Sequence, residues 1–221
     1  MGTVGTDVVV GVALGGGMNY TPLRWRNGVL EPFPYPPGAI SVELEARTSD
    51  NGLVGGLWRL ADGLPRPCIV DGDEFIDLAP LVPDHITGVI PHGINTAGVM
   101  AATAGVDGST PNHLRACLVS MSGVFVVPMP KDWINFHGRA ISNNGMVAGW
   151  ARVPYAAVPT GYVDRPFRWS GGMPMELPML EGHNVGRATG VNSLGMVVGQ
   201  SWFKSPTGAE SPKTAVIWID D

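Results

Sequence analysis

A chain of 221 residues, 44% hydrophobic and 15% charged, can bury a sizeable core, which argues against intrinsic disorder. Its net charge of −5, without any extended basic cluster, disfavours phosphate-driven nucleic-acid binding. No apolar run approaches the roughly 18 residues that a membrane span requires.

The 31 glycines and 20 prolines follow no Gly-X-Y period and read as punctuation between many short elements. No window sustains a helical apolar period, so the chain is predicted to be mostly β. The N-terminal stretch MGTVGTDVVVGVALGGG lacks the positive and apolar regions of a signal peptide. Its three glycines at 15–17 precede no Lys-Ser/Thr pair, which points to a loop rather than a phosphate-binding loop.

A turn-plus-strand piece then recurs along the chain: TVGTDVVVG (3–11), TSDNGLVGG (48–56), INTAGVMAA (94–102), ISNNGMVAG (141–149) and VNSLGMVVG (191–199). Their last residues lie 45, 46, 47 and 50 apart. A second piece follows each: TPLRW (21–25), RPCIV (66–70), RACLV (115–119), RPFRW (165–169) and TAVIW (214–218). A third, such as GDEFIDL (72–78), follows the first four. Each repeat thus reads as four short antiparallel strands a to d, with Asn/Asp/Ser/Gly turns between a and b and between c and d. That pattern predicts a single domain, 1–221, folded as an all-β five-bladed propeller. Its repeats run approximately 1–45, 46–90, 91–137, 138–187 and 188–221, and the last blade lacks strand d. Stacked sandwich or solenoid layers are the alternative. Closing positions of strand b are Gly11, Gly56, Ala102, Gly149 and Gly199, small residues expected where inner strands crowd the axis.

The motifs I-N/S-x-x-G-x-V-x-G and Arg165-Pro166-Phe167-x-Trp169 resemble the HAF-type repeat of predicted extracellular bacterial proteins. Cys68 and Cys117 replace the aromatic in repeats 2 and 3, and the family's usual tail is only hinted at in MELPMLEGHN. The resemblance implies a repeat β architecture, often secreted or on a surface, and brings no catalytic residue with it.

Cys68 and Cys117 share the repeat position of Leu23, Phe167 and Val216, so buried free thiols are expected rather than a disulfide. Trp25, Trp169 and Trp218 share another register and are expected in the core. The acidic DGDEFID (71–77) falls on a c–d turn and lacks the length and closing Glu of a calcium loop. The five histidines are expected on the face carrying the b–c and d–a loops, at offsets too irregular for a metal ring. No metal and no cofactor are expected.

The b–c connections vary most, from 12 residues to the 18 between Gly149 and Phe167. Loops held by a rigid scaffold concentrate binding residues. The ligand-binding candidates are therefore Trp58, Arg59, His113, Arg152, Tyr155, Tyr162 and Trp202. For Trp58 and Trp202, packing as a continuation of strand b is the competing reading. The expected function is a non-enzymatic binding or structural module engaging a glycan or protein, as a virion, secreted or surface component, with homo-oligomer formation or larger assembly. The alternative is a carbohydrate-active hydrolase or lyase using Asp84, His85, Asp132, His137 and Glu181 on the same face.

Overall fold

The computed structural model describes residues 2–3, 8–14, 20–26, 28–33, 36–43, 48–106 and 114–219. They form an all-β molecule of five antiparallel sheets, four with four strands and the last with three. Sheet 1 contains β1 (Gly2–Thr3), β2 (Val8–Leu14), β3 (Tyr20–Arg26) and β4 (Val29–Pro32). Sheet 2 contains β5 (Ser41–Glu43), β6 (Val54–Arg59), β7 (Arg66–Asp71) and β8 (Glu74–Asp77), followed by one 3-10 turn at Ala79–Leu81. Sheet 3 contains β9 (Ile86–Ile94), β10 (Met100–Val106), β11 (Leu114–Ser120) and β12 (Gly123–Val126). Sheet 4 contains β13 (Ile134–Ile141), β14 (Val147–Pro154), β15 (Tyr162–Trp169) and β16 (Met175–Glu176). Sheet 5 contains β17 (Val185–Val191), β18 (Val197–Trp202) and β19 (Thr214–Trp218). Every sheet is a simple meander, and the first strand of sheets 2 to 5 packs against the sheet before it.

The recurring turns have a common chemistry. Ser49, Asn95, Ser142 and Asn192 occupy one repeat position, and the side-chain oxygen of each accepts a 3.0 Å hydrogen bond from the backbone N–H four residues on. This satisfies a donor that a tight turn would otherwise leave open. The glycine that follows sits at positive φ in each, 93° at Gly52, 72° at Gly98, 84° at Gly145 and 85° at Gly195.

The second function of these turns is to clasp neighbouring sheets. Asn51 Nδ2 donates to the Thr96 carbonyl at 2.9 Å, and its repeat counterpart Asn144 donates to the Ser193 carbonyl at 3.1 Å. Between those pairs, Asn95 Nδ2 donates to the Ser142 carbonyl and the Thr96 N–H to Asn143 Oδ1. Asn143 Nδ2 then reaches Asp50 Oδ2, two sheets back, at 2.9 Å. Sheets 2 to 5 are thus laced turn to turn beside a shared cavity of about 370 Å³, lined by Asp50 from the turn before β6 and by Ser193 after β17.

Packing between sheets depends on small residues. A Cβ on Gly138 would come within 3.0 Å of the Ala102 carbonyl in sheet 3, and one on Gly93 within 3.2 Å of Ala140 in sheet 4. Gly149 and Gly199 answer to a nearer constraint. Their Cβ atoms would fall 1.9 Å from the His137 carbonyl and 2.1 Å from the Arg187 carbonyl, each in the adjacent first strand of the same sheet. Register shifts lie next to both carbonyls, so the nearest crowding at Gly149 and Gly199 comes from the partner strand of their own sheet.

Cys68 and Cys117 are free and buried, and burial pushes both thiols up to about 12. Trp218 is buried and Trp169 half-buried, but Trp25 is 46% exposed, contrary to the expected core register. The largest core cluster runs from sheet 3 through Trp133, Phe136 and Phe167 to Val185 and Trp202. Phe136 and Phe167 ring centroids stand 4.4 Å apart within it. Among the described residues, no helix is long and apolar enough to cross a membrane.

Candidate functional site

The 18-residue excursion after Gly149 is mostly strand. β14 continues to Pro154 and β15 begins at Tyr162, in register through the pair Pro154–Tyr162. Alternation explains the extension: Ala151, Val153 and Val163 are buried, so Arg152, Tyr162 and neighbouring polar groups project elsewhere. This elongated hairpin forms one wall of a cavity of about 330 Å³. Sheet 5 forms the other wall through Val185, Arg187, Trp202, Lys204 and Glu210, and the start of β13 forms its floor through Ile134 and Asn135.

The cavity is lined by charged groups. Buried Asp164 accepts a hydrogen bond from Arg187 Nε at 2.7 Å and forms an ion pair with its Nη2 at 2.5 Å, while Arg152 Nε stands 3.6 Å away. Lys204 faces Glu210 at 3.7 Å. Its backbone is locked by Asn184, which receives the Lys204 N–H at 2.7 Å and donates to the Lys204 carbonyl at 2.8 Å. Three cations therefore share this space with two carboxylates. Tyr162, 38% exposed, contributes a ring and a hydroxyl.

Two of the lining residues hold a buried polar atom without a partner. Asn135 is only 9% exposed, yet its Oδ1 accepts no hydrogen bond, and Trp202, at 3%, leaves Nε1–H undonated. Asn135 also has φ of 48°, the one non-glycine positive φ among the described residues. It lies in the register shift between Ile134 and His137, where a bulge redirects the strand.

Behind the cavity, Arg187 lies 4.4 Å over the Trp150 ring, and His137 stacks on the same tryptophan at 3.8 Å. Burial, reinforced by Arg139, Arg187 and Arg152, holds His137 down at about 4. His92, facing Arg139 at 2.9 Å, is held at about 3, chiefly by burial. His137 lies within the first strand of sheet 4, not in a d–a loop as expected, and His92, expected at the entry to a first strand, lies within β9, because both strands run longer than their repeat motif indicated. Among the described residues, no group of three or more His, Cys, Asp or Glu side chains could hold a metal.

Of the seven binding candidates, Arg152, Tyr162 and Trp202 line the cavity together. Trp58 does not. It is buried in sheet 2 with Val42 and Cys68, its Nε1 donates to Asp77 at 3.1 Å, and Phe75 packs edge-on. Arg59 is occupied by Glu43 and the Gly63 carbonyl. Tyr155 packs against the core beneath Arg165. His113 lies outside the described residues. Asp84, His85, Asp132 and Glu181 are exposed and line neither cavity. The motif pattern did not single out Asn135, Asp164 or Arg187. The alternation of Ala151 and Val153 would have signalled that Arg152 faces the next sheet.

No protein-family model and no curated protein matches the chain. Among solved structures it is similar to a polysaccharide lyase of family PL25, an ulvan lyase, at 11% identity and a TM-score of 0.41. The match covers 90% of this chain and 62% of that one, so this chain spans less than two thirds of the lyase's length. A TM-score of 0.41 carries neither fold nor activity across. The expectation of a non-enzymatic binding module is nevertheless corrected. The broad aromatic loop face on which a binding module rested is dismantled, since Trp58 and Tyr155 are packed away.

Proposed function

We propose that this protein is a carbohydrate-active enzyme that cleaves an acidic polysaccharide by β-elimination in the cavity between sheets 4 and 5. The observation that carries the reading is that Arg152, Arg187 and Lys204 line one cavity together with a hydroxyl-bearing aromatic, Tyr162. Cations beside a sugar carboxylate stabilise the negative charge that develops when the neighbouring carbon loses its proton. In the step proposed, the phenolate form of Tyr162 takes that proton. The electron pair forms a carbon–carbon double bond, the glycosidic C–O bond breaks, and the proton passes to the departing oxygen. Hydrolysis by a carboxyl pair fits less well, because Asp164 is engaged by two guanidiniums and Glu210 faces Lys204. The scaffold in this reading is a five-bladed propeller closed through sheets 5 and 1. The turn-to-turn lacing of sheets 2 to 5 beside one cavity supports that closure.

The test is incubation with a panel of uronate-containing polysaccharides, following the ultraviolet absorbance of the unsaturated product. Tyr162→Phe should lower turnover by about 100-fold or more with thermal stability unchanged. Absence of product from every acidic polysaccharide would overturn the reading.

A further inference from the structure

The three cations of the cavity are not held alike. Lys204 faces Glu210, and Arg152 comes only within 3.6 Å of Asp164, with a side chain 43% exposed. Arg187 is fixed from two directions. Its Nε donates to the Asp164 carboxylate at 2.7 Å and its Nη2 pairs with the same carboxylate at 2.5 Å, while its guanidinium carbon stands 4.4 Å over the Trp150 ring. The Trp202 ring, at 5.8 Å, is a second indole beside it.

Strand geometry assembles this holder. Trp150 and Arg152 alternate onto one face of β14, and Arg152 is the cross-strand partner of Asp164 on β15. β17 of sheet 5 packs against both strands and brings Arg187 to them. Trp150 is steadied in turn by His137, its cross-strand partner on β13, whose ring stacks on it at 3.8 Å. Trp150 is half-buried and lines neither cavity, so whatever it contributes to the site passes through Arg187. Asp164 occupies one edge of that guanidinium. No described residue accepts from Nη1, and the Arg187 side chain is 41% exposed. The edge that remains, Nη1 with the outer N–H of Nη2, matches the two oxygens of a carboxylate. Stacking on an indole restrains the guanidinium plane, which sets that edge before a ligand arrives.

We infer that Trp150 is a positioning residue that fixes Arg187 for end-on recognition of a sugar carboxylate, so that acid recognition rests on Arg187 more than on Arg152 or Lys204. This rests on the acidic-carbohydrate reading of the cavity and deepens it: the site reads a planar carboxylate at a set orientation and not only its charge.

The test uses the full chain, with the methyl glycoside of glucuronic acid as probe and that of glucose as the neutral control, and affinity measured by ligand-observed NMR. The glucuronide should bind about tenfold or more tightly than the glucoside. Trp150→Leu should weaken glucuronide binding about tenfold, and Trp150→Phe, which keeps a ring beside the guanidinium, should restore most of it. Arg187→Lys, which keeps the charge but not the planar fork, should weaken binding as much as Trp150→Leu does. In the Arg187→Lys background Trp150→Leu should then have no further effect, because the group it positions is gone. Trp150→Leu acting equally in both backgrounds, as general loosening of the fold would, overturns the inference. So does Trp150→Leu without effect, or no binding of the glucuronide by the unaltered chain. Binding that depends on Trp150, without cleavage of any acidic polysaccharide, would retain the positioning role and remove the elimination reaction. Cleavage indifferent to Trp150→Leu would do the reverse.

Discussion

At the residue scale, the clearest consequences concern groups that burial has altered. His137 is held at about 4, against an ordinary value of 6.5, so the folded protein keeps it neutral where the unfolded chain would protonate it. The unfolded state therefore binds more protons as pH falls from 6.5 towards 4, and stability drops across that window. Melting temperature recorded against pH should show this decline, and His137→Phe should make it shallower. His92, held at about 3, extends the loss to lower pH. Gly149 is a second residue-scale case. A methyl group 1.9 Å from the His137 carbonyl cannot be accommodated without moving β13, so Gly149→Ala should cost about 3 kcal/mol in urea unfolding. Gly145 has open space but a φ of 84°, and Gly145→Ala should cost only about 1 kcal/mol.

At the scale of the element, the a–b turn accounts for the motif that marks the repeat. Asn95 accepts from the N–H groups of Ala97 and Val99 and donates across to the next sheet. Asn95→Ala would open both donors and the clasp together, at an expected cost of about 2 kcal/mol by chemical denaturation. Asn51→Ala, at an exposed position with one inter-sheet bond, should cost less than half of that. Equal losses at the two positions would mean that the clasp, and not the turn, dominates. The extended β14–β15 hairpin is the other informative element. Its length places Arg152 and Tyr162 beside Arg187 of the next sheet, so the cavity is a consequence of strand length more than of loop composition.

At the scale of the whole molecule, the inferred ring closure makes a dimension checkable. A compact 221-residue domain should have a radius of gyration of about 17 Å by small-angle scattering. A clearly larger value would indicate an open arc. The charge distribution makes a second prediction. A protein with net charge −5 gathers three cations in one cavity, so attraction to an acidic polysaccharide is local and screened by salt. KM for such a substrate should rise steeply between low and physiological ionic strength, whereas a salt-independent KM would point to neutral contacts as the main source of binding.

Periodicity alone determined the number and order of the sheets, the Ser/Asn and glycine turns at 49–52, 95–98, 142–145 and 192–195, and the burial of Cys68 and Cys117, because each is a local requirement repeated at a fixed offset. Three of the cavity's lining residues, Arg152, Tyr162 and Trp202, were also legible as polar or aromatic groups beyond strand b. Tertiary structure decided the rest. Trp58 and Trp202 sit at related positions in their repeats, yet one has Asp77 within reach of its N–H and the other has no acceptor. Asn135 carries no signal in its neighbours, since its left-handed backbone follows from a register shift between β13 and β14. Asp164, Arg187 and Lys204 meet only when sheets 4 and 5 pack side by side. A repeat prescribes what each sheet is, but a site between sheets depends on where the repeats differ.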